Sequence, residues 1–343
     1  MSKASKTTKT KTLSFIMPVY NAEKFLRPVV EKILAIDIPG IKIELIAVND
    51  CSTDSSRDIL KEYPLILISA KTNRGISHAR NLGLKRATGD YIMYIDSDDD
   101  FEPKYLERAL KKIEETDSDF CVLGEDVIDE KTGQKTGSRY HYPWKFLEQP
   151  NLTKVYLEDK IDPAAYNKLF RASFAKNFPF NDELKVGEDI FFCLEIFTAA
   201  RRVCFSNAIY YHYIQHDTSI MHTVNKNLLQ FSEVPSHVPA ETQALYRKNY
   251  PDSWGYFQLQ MYSRSIHAIS ANYKHARASA KSLLASIYDK DKLKAIENCS
   301  HYSFFVRLEM KFLRIFGINF HFFLMPFYNF IKRLTRKFIN PNS

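Results

Sequence analysis

The chain is predicted to be an α/β protein, a mostly parallel sheet flanked by helices, with a helical C-terminal region. Three observations predict it. From residue 13 to about residue 200, short apolar runs alternate with stretches at helical spacing, the mark of βαβ units and a parallel sheet. The second such run closes on Asn, Asp, Ser and Thr, the residues that cap a following helix. Beyond residue 225 the character is helical throughout.

Taken in order, residues 1 to 11 are rich in Ser, Thr and Lys and read as a flexible basic arm. Leu13 to Met17 is a strand, which Pro18 ends. A helix follows with Phe25, Leu26, Val29, Val30, Ile33 and Leu34 on one stripe, and Pro39-Gly40 turns the chain. Ile43 to Val48 is the second strand, and the helix after it runs through Ile59 and Leu60. Leu65 to Ile68 is the third strand, Asn73-Arg74-Gly75 a turn, and Ser77 to Arg86 a helix. Tyr91 to Ile95 is apolar or aromatic on both faces, as a buried strand is.

That strand runs into Asp96-Ser97-Asp98-Asp99-Asp100. Open α/β sheets bind ligands at the carboxyl ends of their strands. Asp96 and Asp98 are two apart, so extended backbone points both carboxylates to one side. They repel unless a cation lies between them, and a hard divalent ion with oxygen ligands suits the pair. The alternative is an acidic turn capping the helix that starts near Pro103.

From Phe101 to Glu115 a helix carries Leu106, Leu110 and Ile113, and Phe120 to Leu123 is a further strand. Residues 129 to 150 have no clear period and read as a mobile surface loop. Its His141, Tyr142 and Trp144 are either ligand-facing aromatic residues or ordinary loop packing. A helix starts at Glu188-Asp189 and runs to Ala200. Carboxylates in a first turn are stabilised as anions by the helix dipole.

The final segment differs. From residue 301 onward there are seven Lys or Arg and one acid, Glu309, interleaved with aromatics. The run falls short of the ~20 mainly apolar residues of a membrane-spanning helix. Basic, aromatic, amphipathic helices lie in a membrane interface and favour anionic lipid. The alternative is a helix packed on its own domain or on a partner subunit.

The totals exclude several classes. Net charge is +8, concentrated at the two ends, where an anionic surface is the implied partner. No nucleic-acid recognition motif accompanies it. Five scattered cysteines without a CxxC pair argue against structural zinc and for a reducing compartment. The G-x-G-x-x-G fingerprint and the Walker A loop are missing, and no signal-peptide run opens the chain.

PVYNAEKFL, VNDCSTDSS, NRGISHARNLGLKRATGDYIMYIDSDD and VGEDIFF occur in this order and together resemble family 2 glycosyltransferases over about residues 12 to 220. The resemblance implies the GT-A fold, Rossmann-like, and transfer from a nucleotide-sugar. It divides the chain into an arm (1–11), a catalytic domain (12–222), a helical region (223–300) and a membrane-contacting tail (301–343).

Position by position, the resemblance puts Pro18, Tyr20 and Glu23 beside the nucleotide base and gives Asp50 the role of recognising uracil. The alternative for Asp50 is a local turn or helix cap. The family usually has Gly after this Asp, where this chain has Cys51. Arg74 and Arg80 fall near the donor, Arg80 either on a phosphate or bracing the acidic loop. Asp96-Ser97-Asp98 matches the DXD element, with Asp96 on ribose or metal and Asp98 a direct ligand of Mn²⁺ or Mg²⁺. Asp99 and Asp100 support that loop or cap the next helix. Asp189 would be the general base, Glu188 and Trp144 would meet the acceptor, and residues 210–222 resemble a closing loop whose His216 touches the diphosphate or the metal.

The expected reaction moves one sugar from a UDP-sugar to a hydroxyl of a saccharide acceptor, with inversion. The QxxRW element of processive polymerases is absent, which favours single transfer. The expected setting is synthesis of a bacterial cell-surface polysaccharide on a lipid carrier, at the cytoplasmic face of the membrane. A nucleotidyltransferase releasing pyrophosphate is one rival. A non-catalytic membrane-associated subunit keeping the fold is the other.

Overall fold

The computed structural model describes residues 10–139, 142–215, 224–271, 276–304, 306–319 and 321–322. The expectations placed on residues 1–9, His141, His216 to His222 and 323–343 lie outside the described residues.

The chain divides into two compact units, residues 1–156 with 161–214, and residues 157–160 with 215–343. The first unit begins with β1 (Lys11–Val19), α1 (Leu26–Leu34), β2 (Ile41–Asn49), α2 (Ser56–Lys61), β3 (Ile66–Ser69), α3 (Ile76–Arg86) and β4 (Tyr91–Tyr94). It continues with β5 (Asp100–Phe101), α4 (Leu106–Thr116), β6 (Phe120–Asp129), β7 (Lys135–Arg139), β8 (Phe146–Glu148) and α5 (Asn151–Leu157). Then come β9 (Lys168–Arg171), α6 (Ala172–Ala175), α7 (Glu188–Ala199) and β10 (Arg202–Gln215).

These strands form one mixed sheet in the order β3-β2-β1-β4-β9-β6-β10-β5, with β7 on β6 and β8 on β10. The half built from β1 to β4 is parallel, as the alternation of strand and helix requires. Pairing turns antiparallel at β4/β9 and β9/β6. Leu13, Phe15 and Met17 on β1 belong to the buried core, together with Leu26, Val30 and Ile33 on α1. On α3, a Cβ added at Gly83 would lie 2.4 Å from Ile16 Cγ2, so only glycine lets this helix approach β1 so closely.

Three expectations need correction. Pro18 does not end β1, which runs on to Val19 with Pro18 opposite Val48. Val19 accepts from the Asp50 N–H on the β2 side, so alternation turns Pro18 toward β4. The β1/β4 ladder stops at Ile16 and Tyr94, so no partner there needs the missing N–H. Phe101 is not helical: β5 pairs Phe101 with Tyr211 and Asp100 with His212. Asp100 is therefore no helix cap, and its carboxylate meets the Lys32 ammonium. Residues 129–150 are not one loop, since β7 closes a hairpin on β6 and β8 joins β10. Neither short strand has the apolar alternation that would have announced it.

The second unit contains α8 (Gln230–His237), α9 (Ala240–Asn249), α10 (Pro251–Ala271), α11 (Arg277–Ile287) and α12 (Lys290–Asn298), and residues 306–319 are helical. Its buried residues include Trp254, Phe257, Met261, Ile266, Leu284, Leu293, Met310 and Leu313. Among the described residues no helix is long and apolar enough to cross a membrane.

Candidate active site

The loops after β1 and β2 are laced together at the carboxyl edge of the sheet. The Asn21 N–H donates to Ser52 Oγ at 3.1 Å, and Asn21 Oδ1 accepts from the Thr53 N–H at 2.8 Å. Glu23 accepts from the Ser55 N–H at 2.9 Å, while the Glu23 N–H donates to Asp54 Oδ2 at 3.1 Å. Glu23 thus works as a cap for α2 supplied from another loop, a job with no local sequence signal. Cys51 holds φ of +63°, the left-handed region where glycine is favoured. The loop therefore keeps its shape despite the departure at this position, at a cost in strain. Cys51→Gly is expected to raise stability by up to about 1 kcal/mol, read from urea denaturation midpoints.

Asp50 is 3% exposed. Its carboxylate accepts from the Arg74 N–H at 3.1 Å and the Gly75 N–H at 2.7 Å. It therefore ties the β2 edge to the turn before α3, and is neither the local turn nor the helix cap weighed from sequence. Tyr20 stands 51% exposed at the end of β1, an open aromatic ring at the sheet's carboxyl edge.

Arg80 organises the rest. It lies on α3, one turn before Gly83, and its side chain is 1% exposed. Nη2 donates to Asp96 Oδ1 at 3.0 Å and Nη1 to Asp189 Oδ1 at 2.6 Å, with Glu188 Oε1 3.8 Å away. The guanidinium lies 5.0 Å from the Phe180 ring centroid, which stacks on Phe192. Arginine suits this place because its planar fork can address two carboxylates at once. Of the two readings of Arg80, the hydrogen bonds to Asp96 and Asp189 favour the brace.

The acidic loop is held from the other side by Tyr211 on β10. Its hydroxyl accepts from the Asp96 N–H at 3.3 Å and donates to Asp99 Oδ2 at 2.8 Å. The Ile214 N–H donates to Asp99 Oδ1 at 2.7 Å. Asp99 is thereby a buried strut, and Asp98 beside it is partly exposed. Burial pushes the Asp99 carboxyl well above its usual range, and the charges of Asp98 and Asp96 add to this.

α7 begins at Glu188, so Glu188 and Asp189 occupy its first turn. The predicted dipole effect does not decide their ionisation. Burial raises the Asp189 carboxyl above its ordinary value; Arg80 and Lys168 oppose the rise and Asp96 adds to it. Burial and then Asp189 push Glu188 up to about 8. Burial works against the charge of Arg80 itself, yet Asp189, Asp96 and Glu188 hold it above the ordinary arginine range. The reason is desolvation: a helix N-terminus stabilises an anion weakly compared with what burial removes.

A stability prediction follows from Glu188. Its folded value of about 8 lies above the ordinary 4.5, so the native state holds the proton more tightly. Its stabilising contribution is full below about 4.5 and is lost as pH rises through about 8. Glu188→Gln is expected to flatten the stability loss across that window, measured by urea denaturation from pH 5 to pH 9.

Several residues of this site carried no role in the sequence reading. Tyr94, Phe170, Phe180 and Phe192 form an aromatic floor of edge and stacked contacts beneath Arg80. Asp182 ties the segment before α7 to α3 through Asn81 Nδ2 at 2.9 Å and His78 Nδ1 at 3.2 Å. Lys168 is fully buried and donates to the carbonyl of Asp162 and to Asn167 Oδ1, both at 2.9 Å. Trp144 is not brought to the cluster. It packs on Phe205 with ring centroids 5.6 Å apart. Phe205 and Tyr211 are six residues apart on β10, about 20 Å of extended strand. Tyr142 packs on the same Phe205 and is buried.

The donor set fits a hard cation. Asp96, Glu188 and Asp189 face the one buried guanidinium of Arg80, and the charge of Asp98 acts on its neighbour Asp99. Among the described residues no group of three or more His, Cys, Asp or Glu side chains is arranged as a metal cage. The protein would therefore offer Asp96 and Asp98, with phosphates and water completing the shell, as Mg²⁺ commonly accepts.

An acidic loop at the edge of parallel strands, joined through one buried arginine to a carboxylate at the start of α7, stands on a sheet of the GT-A type. The comparisons agree. Residues 14–178 match the family model "Glycosyl transferase family 2", and the chain carries a family 2 glycosyltransferase domain. A protein of Bacillus subtilis strain 168 named as the glycosyltransferase EpsH is 32% identical over 230 residues, 64% of this chain and 66% of that protein. The poly(ribitol-phosphate) beta-N-acetylglucosaminyltransferase TarS of Staphylococcus aureus strain Mu50 is 26% identical over 66% of this chain and 40% of its own length. The crystal structure of S. aureus TarS 1-349 with UDP-GlcNAc shares the fold, with TM-score 0.56 and 20% identity over 80% of this chain and 90% of that one. The chain thus spans from 40% to 66% of the length of these two relatives.

Proposed function

We propose that the protein transfers one sugar from a UDP-sugar to a hydroxyl of a saccharide acceptor with inversion, in a metal-dependent reaction using Mn²⁺ or Mg²⁺. The observation that carries this reading is the bond of Arg80 to both Asp96 and Asp189, which fixes a candidate base relative to the candidate diphosphate site. Asp189 is 24% exposed, open enough to reach an acceptor. Its raised value makes it a stronger base than an ordinary carboxylate once ionised. It would take the proton as the acceptor oxygen attacks the anomeric carbon. The bond from that carbon to the phosphate oxygen breaks in line, and UDP leaves.

Asp96 and Asp98 would hold the cation, which when bound offsets the charge developing on the leaving diphosphate. Tyr20 offers a ring for stacking the base, and Asp50 fixes the Arg74 turn beside it while keeping lone pairs for an imide N–H. UDP is favoured because TarS was crystallised with UDP and with UDP-GlcNAc. TarS is named for poly(ribitol-phosphate) and GgaB of B. subtilis for minor teichoic acid biosynthesis. On that footing the proposed acceptor belongs to a cell-surface polymer, with its lipid linkage a further part of the proposal. The enzyme then works at the cytoplasmic face of the membrane, peripherally through its basic C-terminal segment.

The test is calorimetric titration with UDP, GDP and CDP, first with Mn²⁺ and then with excess EDTA. UDP is expected to bind at least tenfold tighter than the others, and only with metal. Asp98→Asn is expected to abolish the metal requirement together with the tight binding. Folded protein that binds none of the three would end the reading.

A further inference from the structure

Lys168 opens β9, where Leu169 lies opposite Met93, so Lys168 falls at the end of β4 that runs into the acidic loop. Alternation along β9 puts it on the face of Phe170, which packs edge-on to Phe192 of α7. Its Nζ donates to the Asp162 carbonyl and to Asn167 Oδ1, both at 2.9 Å, and to the Ala164 carbonyl. A neutral amine has only two hydrogens, so three acceptors specify the ammonium. All three are neutral oxygens, and a fully buried charge held only by such oxygens looks to a carboxylate further off.

α7 covers this ammonium. Asp189, Cys193 and Phe197 follow at four-residue spacing and share one face of that helix. The Phe197 ring centroid is 5.8 Å from Nζ. Cys193 Sγ donates to the Pro163 carbonyl at 3.2 Å, between the two carbonyls that hold the ammonium. Burial pushes the Cys193 thiol up to about 12, so this donor is neutral. The carboxylate on that face is Asp189, one turn before Cys193.

We propose that Lys168 is a positioning residue for Asp189, a buried fixed charge that keeps this carboxylate ionised from the sheet side while Arg80 bonds it directly. The proposal rests on the reading of Asp189 as base only for its purpose. Asp189 is also faced by Asp96 of the acidic loop and by Glu188 beside it, which disfavour its anion, and by the Tyr94 phenol of β4, which burial keeps neutral. The rival partners of Lys168 are Asp162 and Glu125, which accept from Asn167 Nδ2 at 2.9 and 3.2 Å. The amide oxygen takes the ammonium and the amide nitrogen takes the two acids, so Asn167 separates these charges.

The test is a ¹³C NMR titration of the full chain without ligands, the Asp189 carboxyl resonance being assigned from Asp189→Asn. Lys168→Met keeps most of the side chain's length and loses its charge. Its Asp189 midpoint is expected about one pH unit above the parent's, because a cation that favoured the anion has gone. Lys168→Arg keeps the charge and is expected to bring the midpoint back to the parent's. An unchanged midpoint in folded Lys168→Met would overturn the proposal and assign the ammonium to Asp162 and Glu125. Should that variant not fold, the parent decides. Its Lys168 ¹³Cε resonance is expected to step at the Asp189 midpoint and to lose that step in Asp189→Asn; no step overturns the proposal. No substrate enters this titration, so a failure of UDP binding or of transfer ends the proposed function and leaves this result standing.

Discussion

Arg80→Met is expected to cost the first unit about 3–5 kcal/mol, because it removes the buried guanidinium that three carboxylates face. Methionine keeps much of the volume over Phe180, so little of the loss is packing. The effect should depend on pH. Glu188 is pushed up to about 8 even with Arg80 present, so below that pH it already carries a proton and sheds part of the repulsion. The variant should therefore lose stability most steeply on the alkaline side. Urea denaturation between pH 6 and pH 9 reads both magnitude and slope. A cost under 1 kcal/mol at every pH would mean that Arg80 does not hold the acidic loop and α7 together. Arg80→Lys should fall between, since a single ammonium cannot address two carboxylates as the guanidinium does.

Asp189→Asn is expected to lower transfer by about 10³-fold while leaving UDP affinity within a few-fold. Asn keeps the size of the side chain but loses the charge that meets Arg80, so urea denaturation of the same variant separates any stability cost from lost proton abstraction. In the parent the acid limb should fall as pH drops through the raised Asp189 value, because only the ionised carboxylate accepts a proton. The decisive comparison is with Glu188→Gln, assayed on the same donor and acceptor. If that variant loses more activity than Asp189→Asn, the base is Glu188 and the assigned roles are exchanged.

Much of the fold was legible in the chain because its signals are local. β1 and β2 are mostly apolar, β3 and β4 are short apolar or aromatic runs, and α1 and α4 carry a clean stripe. β5, β7 and β8 are short and carry little apolar pattern, so nothing in their residues distinguishes strand from loop. Pro18 misled for a related reason. Proline forbids a ladder bond only on the side where a partner waits, and sequence does not say on which side the neighbouring strand has ended.

The same division runs through the site. Asp96 and Asp98 stand out by residue type and spacing, while Asp50, Glu188 and Asp189 were singled out by the resemblance of their motifs to the family. What each does was decided by partners brought from far along the chain. Arg80 and Asp189 are 109 positions apart, and Tyr211 and Asp99 are 112 apart. The assignment of Arg80 to bracing, of Glu23 to capping α2 and of Trp144 to a place away from the carboxylates all came from the tertiary structure. So did the raised values of Asp189 and Glu188. A carboxylate's ionisation is set by the water it loses and the charges that replace that water. Both depend on which distant segments pack around it, and spacing along the chain records neither.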